Sequence, residues 1–135
     1  MIDRAMRIVA MPVGIAMGAL IGPSAALAQN VPSAERGKVL YESRCGACHS
    51  VDAHRVGPAH QGVVGRKAGS APGFDYSKAV AASRLVWTRT NLLNWLAGPE
   101  AVIPGQAMNY SLGDAGERED VVAYLATLKA AAARP

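Results

Sequence analysis

Residues 44–50 read RCGACHS, and Cys45, Cys48 and His49 carry the most chemistry for their length anywhere in the chain. Two cysteines at i and i+3 followed by histidine fit three devices: a redox disulfide, part of a zinc site, or a haem attachment. A thioredoxin-like dithiol should open a helix after a strand in a βαβ pattern, and no strand pattern precedes Cys45. A structural zinc needs four N or S ligands, usually in two matched pairs. Apart from His49, only His54 and His60 remain, and they form no second pair at zinc-finger spacing. C-x-x-C-H is the c-type haem attachment signature. Cysteines three apart lie on one side of a helical turn. Both sulfurs can therefore form thioethers to the two vinyl groups of one porphyrin, with His49 aimed at the iron. Small Gly46 and Ala47 let the backbone pass close to the ring.

A haem iron needs either a sixth ligand for electron transfer or an open position for ligand chemistry. Of five methionines, Met1, Met6, Met11 and Met17 precede the folded region, which leaves Met108. It lies in IPGQAMNYS, a Pro-Gly turn followed by polar residues, where a core-filling methionine is out of place. Met108 is the expected distal ligand. His60, only eleven residues beyond His49, has a short path to the opposite face of a ring. His54 and His60 are therefore expected at the surface or packing within the loop.

The elements that must position these residues fall between export and tail. Arg4 and Arg7, an apolar run and the small-residue pattern Ala26-Leu27-Ala28 predict a secretory signal over residues 1–28. The run is short of the ~20 apolar residues of a membrane span, so no stable membrane insertion is expected once it is cleaved. Residues 29–135 then form a single domain exported to a bacterial periplasm, with formal charge falling from +4 to +3. A chain this short, with one Phe, two Trp and four Tyr, gains from a cofactor to complete its core. Residues 36–89 hold nine Lys/Arg against three Asp/Glu, and residues 90–135 hold three against five. Export and the lack of a basic run with interleaved aromatics argue against nucleic acid. A weakly basic face for an acidic protein fits better.

Apolar spacing predicts three helices: about Ser33–Cys48 with Ser33 as N-cap, Thr88–Ala97 stopped by Gly98-Pro99, and Asp114–Ala131. A helical turn is expected near Ser77–Ser83. Acidic Asp114, Glu117, Glu119 and Asp120 suit the N-terminal half of the last helix through its dipole. Residues 51–73 read as an extended loop, whose length needs a surface to pack on; a haem edge would provide it. No strand or repeat is evident.

CGACH, VGPAHQGVVGRKAGSAPGFDYS, the Trp87 region, NWLAGP, IPGQAM and EREDVVAYL occur in the order found in class I cytochrome c. The chain resembles in particular the mitochondrial cytochrome c and bacterial cytochrome c2 group. The resemblance implies an all-α fold with crossed N- and C-terminal helices, where Gly37 and Tyr41 would meet Val121 and Tyr124. It implies one haem c held through Cys45 and Cys48 and ligated by His49 and Met108. Pro58 would accept a hydrogen bond from the His49 ring, and Arg66, Tyr76 and Trp87 would serve a buried propionate. Trp95 stands where the family usually has a tyrosine bonded to the methionine sulfur, and Val80 where mitochondrial members have Asn. Both changes dry the pocket, so the family's buried hydrogen-bond network is not expected intact. The loop between His49 and Gly57 is shorter than in mitochondrial forms. Glu100, Ala101 and Ala107 stand where those relatives carry lysines, leaving Lys38, Arg44, Arg66 and Lys67 as the basic remainder.

The implied function is one-electron transfer, not enzymatic catalysis, by a monomer that docks briefly with periplasmic redox proteins in a respiratory chain. The donor would be a quinol:cytochrome c reductase or a dehydrogenase, and the acceptor a terminal oxidase. Transfer would use the haem edge framed by Cys48, Met108 and Tyr110. A haem subunit of a periplasmic dehydrogenase, and a ligand-binding or sensor protein with a displaceable Met108, are the alternatives.

Overall fold

The computed structural model describes residues 31–129; the expected signal at 1–28 and the Ala-rich tail from residue 130 lie outside the described residues. Among the described residues five α-helices occur in the order α1 Ala34–Leu40, α2 Lys78–Ala82, α3 Arg89–Ala97, α4 Pro99–Val102 and α5 Ala115–Leu125. After α1 the chain continues through one wider π-type turn, Tyr41–Cys45. Among the described residues the only extended pairing is an isolated antiparallel bridge between Lys67 and Val86. The all-α expectation holds.

Four of the helices begin where short polar side chains cap free backbone N–H groups. Ser33 accepts from Arg36 N, Ser77 from Val80 N, Thr88 from Asn91 N and Asp114 from Glu117 N. Gly98-Pro99 ends α3 as expected, but Pro99 also starts a further short helix. Its missing N–H costs nothing at the first helical position, so the same dipeptide punctuates in both directions. The last helix is shorter than the expected Asp114–Ala131: it closes at Leu125, with Ala126 as C-cap and Thr127 N–H turning back to Tyr124 O.

Helices α1 and α5 cross at Gly37. A Cβ there would collide with the Asp120 carbonyl and touch the Tyr124 Cβ, so only glycine permits this approach. The expected partners Val121 and Tyr124 are therefore joined by the Asp120 backbone. Tyr41 packs on Tyr124 with ring centroids 5.3 Å apart. Val121 and Val122 are each 1% exposed beneath the crossing.

Asp120 has a second role that the helix-dipole argument does not reveal. Its carboxylate is 6% exposed and accepts from Ser33 N at 2.6 Å, Arg36 Nε at 2.7 Å and Arg36 Nη2 at 2.8 Å, so it caps α1 from α5. Burial alone would raise its pKa, but the bonds from Arg36 and Ser33 outweigh this and hold it below the usual carboxylate value.

The long stretch between the first and last helices is ordered by backbone bonds. Gly62 N binds Leu128 O, and Ala68 N binds Leu85 O. Gly65 N donates to Trp87 O, and Trp87 N to Arg66 O. His54 clasps the loop at its start. Its Nδ1 accepts from Ala59 N at 3.0 Å, so Nε2 carries the proton given to Pro72 O at 2.8 Å.

Gly37→Ala is expected to destabilise the holoprotein by about 2 kcal/mol, since backbone cannot yield as a side-chain tip can; chemical denaturation measures it. Asp120→Asn should also destabilise. A depressed folded-state pKa contributes stability that is present above the ordinary carboxylate pKa and lost as pH falls through the folded value. The gap between Asp120→Asn and the parent protein should therefore be widest above about pH 4 and narrow below it.

Candidate haem site

One cavity of about 300 Å³ lies between the π-type turn, the 51–77 segment, α3 and the loop after α4. Every residue expected at the site lines it: Cys45, Cys48, His49, Pro58, Arg66, Tyr76, Trp87, Trp95 and Met108. Val80 lines it too and is 7% exposed, which accords with the expected dry wall.

The attachment motif sits in a single turn. Cys48 N and His49 N both donate to Cys45 O, at 3.0 and 2.8 Å, so the chain bends back beneath the two sulfurs. Cys45 is half-buried, Cys48 is exposed, and they are not joined to each other. Burial, then the neighbouring Cys48, pushes the Cys45 thiol up to about 11. A redox dithiol needs a depressed pKa to supply a thiolate at neutral pH, so the site opposes that reading. Among the described residues no group of three or more His, Cys, Asp or Glu is gathered that could hold a metal ion.

His49 is fixed from several directions. Its Nδ1 lies 2.9 Å from Pro58 O. A carbonyl only accepts, so Nδ1 carries the proton and Nε2 keeps a free lone pair. Burial lowers the His49 pKa, partly offset by the Pro58 bond, which keeps the ring neutral. Gly57 presses against the imidazole, and a Cβ there would enter the ring.

Of the two places the sequence allowed His60, the surface or packing within the loop, the structure gives the second, and from there it forms a wall of the cavity. Its ring stacks on His49 with centroids 4.1 Å apart and planes 20° apart. It therefore cannot approach from the opposite face, and Met108 has no histidine rival there. Its Nδ1 lies 3.1 Å from the Tyr41 hydroxyl. Burial, with His49 and Arg66 nearby, pushes the His60 pKa down to about 3, so it too is neutral.

The Met108 side of the cavity depends on contacts that composition and spacing conceal. Gln106 Oε1 accepts from Met108 N at 2.5 Å and Asn109 N at 3.2 Å, with Asn109 at φ 49°. Glu100 on α4 accepts from Gly105 N at 2.9 Å and meets Gln106 Nε2 at 3.4 Å. Glu100, which the sequence suggested only as a missing lysine, thus braces the Met108 loop. The Trp95 indole N–H points at Met108 Sδ, 3.1 Å away. The hydrogen bond that a tyrosine would supply is made by tryptophan, so the expected disruption does not occur at this contact. Trp87 meets Trp95 edge-on at 5.0 Å.

Arg66 turns a further donor toward the cavity wall. Its Nη1 and Nη2 donate to Gln61 O and Ala59 O, while Nε is buried without a partner. A buried guanidinium N–H left free calls for an acceptor. Tyr76 and Trp87 line the same cavity, and the Tyr76 hydroxyl, which accepts from Ala71 N, keeps its own proton to give. An acidic group carried by a large apolar ligand fits this donor set.

A family model for cytochrome c matches residues 34–129. The chain belongs to the cytochrome c family. A cytochrome c2 from Rhodopseudomonas palustris is 43% identical over 113 residues, covering 71% of this chain and 98% of the relative. Cytochrome c of Euglena viridis is 41% identical over 99 residues, covering 71% and 97%. Among solved structures, cytochrome cH from Methylobacterium extorquens superposes with a TM-score of 0.67 at 38% identity, over 70% of this chain and 98% of the other. Ferricytochrome c2 from R. palustris gives 0.66 at 42%, over 72% and 99%. The fold is that of class I cytochrome c, and the cofactor is haem c attached through Cys45 and Cys48. Like its family, the protein carries electrons and is not an enzyme.

Replacing both Cys45 and Cys48 with Ala should abolish covalent attachment, so that acid–acetone extracts any remaining haem. Haem that stays with the protein in that variant would contradict thioether linkage.

Proposed function

We propose that this cytochrome c is an exported one-electron carrier whose haem iron is held between His49 and Met108. The observation that carries this reading is the Trp95 indole on the Met108 sulfur, in the same cavity as a neutral His49 whose bare Nε2 can ligate. Haem c supplies the one-electron couple of its iron. His49 and Met108 would be the side chains that hold the iron in both oxidation states, so little of the protein would have to rearrange on electron transfer. A neutral thioether from Met108, paired with the His49 imidazole, would raise the reduction potential. The Trp95 N–H draws electron density from the sulfur and strengthens this effect. Arg66, Tyr76 and Trp87 would receive a buried propionate, and Pro58 fixes the His49 tautomer. Val80, Leu92 and Leu96 keep water from the pocket.

Residues 1–28 would direct export and be removed, leaving residues 29–135 as one periplasmic domain. Among the described residues no helix is long and apolar enough to cross a membrane. Exposed Cys48, and Val56 at 78% exposure, stand at the cavity rim with Arg44. Such a rim suits brief docking with an electron donor, a quinol:cytochrome c reductase or a dehydrogenase, and an acceptor such as a terminal oxidase.

The optical spectrum of the oxidised, periplasm-purified protein tests the ligand set: the weak far-red band of methionine sulfur on ferric haem is expected. Met108→Ala should remove that band, lower the potential and let the reduced protein bind carbon monoxide at neutral pH. Carbon monoxide binding by the parent protein would instead favour a ligand-binding role. Trp95→Phe should keep the band but lower the potential by about 1 kcal/mol, or ~40 mV for one electron, by protein-film voltammetry.

A further inference from the structure

His60 neither attaches nor ligates the haem under the reading above, yet it is held more closely than a filler residue needs to be. Its plane lies within 20° of the His49 plane at 4.1 Å. The Tyr41 hydroxyl meets its Nδ1 at 3.1 Å, and the Tyr41 ring stands edge-on to it at 5.6 Å. Tyr41 is 4% exposed and rests on Tyr124 of α5. A line of aromatic contacts therefore runs from the helix crossing to the proximal imidazole.

We propose that His60, anchored by Tyr41, is a positioning residue that sets the rotational angle of the His49 imidazole about its Nε2–iron axis. The argument rests on His49 as an axial ligand. Its Nδ1–H bond to Pro58 O aims the ring but leaves rotation as the soft degree of freedom, because a carbonyl accepts over a broad range of directions. A parallel ring at 4.1 Å removes that freedom, since turning His49 would drive its edge into His60. An aliphatic side chain at position 60 could fill the same volume without presenting a plane. Histidine adds what phenylalanine could not, a nitrogen that locks its own rotation to the Tyr41 hydroxyl.

The angle of an axial imidazole decides how the unpaired electron of ferric iron spreads over the porphyrin, and the proton NMR shifts of the four haem methyls report it. His60→Leu and Tyr41→Phe, each prepared as holoprotein, are expected to change the order or spread of those shifts while keeping the far-red band. A His60→Phe, Tyr41→Phe double variant keeps a flat ring but no lock, and should show the same displaced pattern as Tyr41→Phe; a return to the parent pattern would overturn the role of the Tyr41 anchor. A purely structural role would lower the melting temperature and leave the methyl pattern untouched, which overturns the proposal. Should His60→Leu fail to accumulate, Tyr41→Phe decides alone, since it deletes one oxygen and keeps both rings. Absence of the far-red band from the parent protein would overturn the ligand reading and this inference with it. A band that persists with unchanged methyl shifts in the variants would overturn this inference alone.

Discussion

Everything in this fold is referred to the crossing of α1 and α5, where Gly37 lies against the Asp120 carbonyl. The contact is close because no Cβ separates the two backbones, and it is held in register by the Asp120 carboxylate bound to Ser33 and Arg36. The π-type turn leaves this crossing directly, so the position of Cys45, Cys48 and His49 is inherited from it. Tyr41 belongs to both: it packs on Tyr124 at the crossing and bonds to His60 at the cavity. Helix packing and the cavity wall are therefore parts of one contact system.

Most of the cavity wall is loop, and a loop is a poor wall unless its polar backbone is paired. Here the pairing is local and economical. The bridge at Lys67 and Val86 sets Arg66 beside Trp87, while His54 ties Ala59 to Pro72. On the other side, Gln106 and Glu100 hold the turn that presents Met108. Helices α3 and α5 contribute the apolar floor, where Leu92, Leu96, Val121 and Leu125 are buried. Polar contacts thus shape the rim and apolar contacts the interior, which suits a ligand that is mostly hydrocarbon with a few charges at its edge.

The exchange of tyrosine for tryptophan at position 95 shows how a site can keep an interaction while changing its chemistry. A phenol can donate and accept; an indole only donates. Because thioether sulfur needs only a donor, Trp95 satisfies it at 3.1 Å and buries a larger apolar ring against Trp87. What is lost is the ability to pass a hydrogen bond onward to a further group. Val80, which lines the same cavity, has no polar side-chain atom to receive one.

The chemistry of the site was legible in the sequence because it is local or compositional. C-x-x-C-H is contained in one turn, Met108 is the one methionine among the described residues, and the helices around Val39, Leu92 and Val121 follow from periodicity and caps. The ordered motifs of the family supplied Pro58, Arg66, Tyr76 and Trp87. What only the tertiary structure decided joins residues far apart, or residues whose side chains fit several roles. Asp120 looks like a helix-dipole charge until Arg36, 84 residues away, is found against it. His60 looks like a loop residue until Tyr41 and His49 close on it. Glu100 and Gln106 look like surface polarity until the loop folds back onto them. Periodicity describes which face a residue occupies and motif spacing describes what lies within a turn. Neither can say which polar atoms meet when separate elements pack, because that depends on the three-dimensional path of the intervening chain.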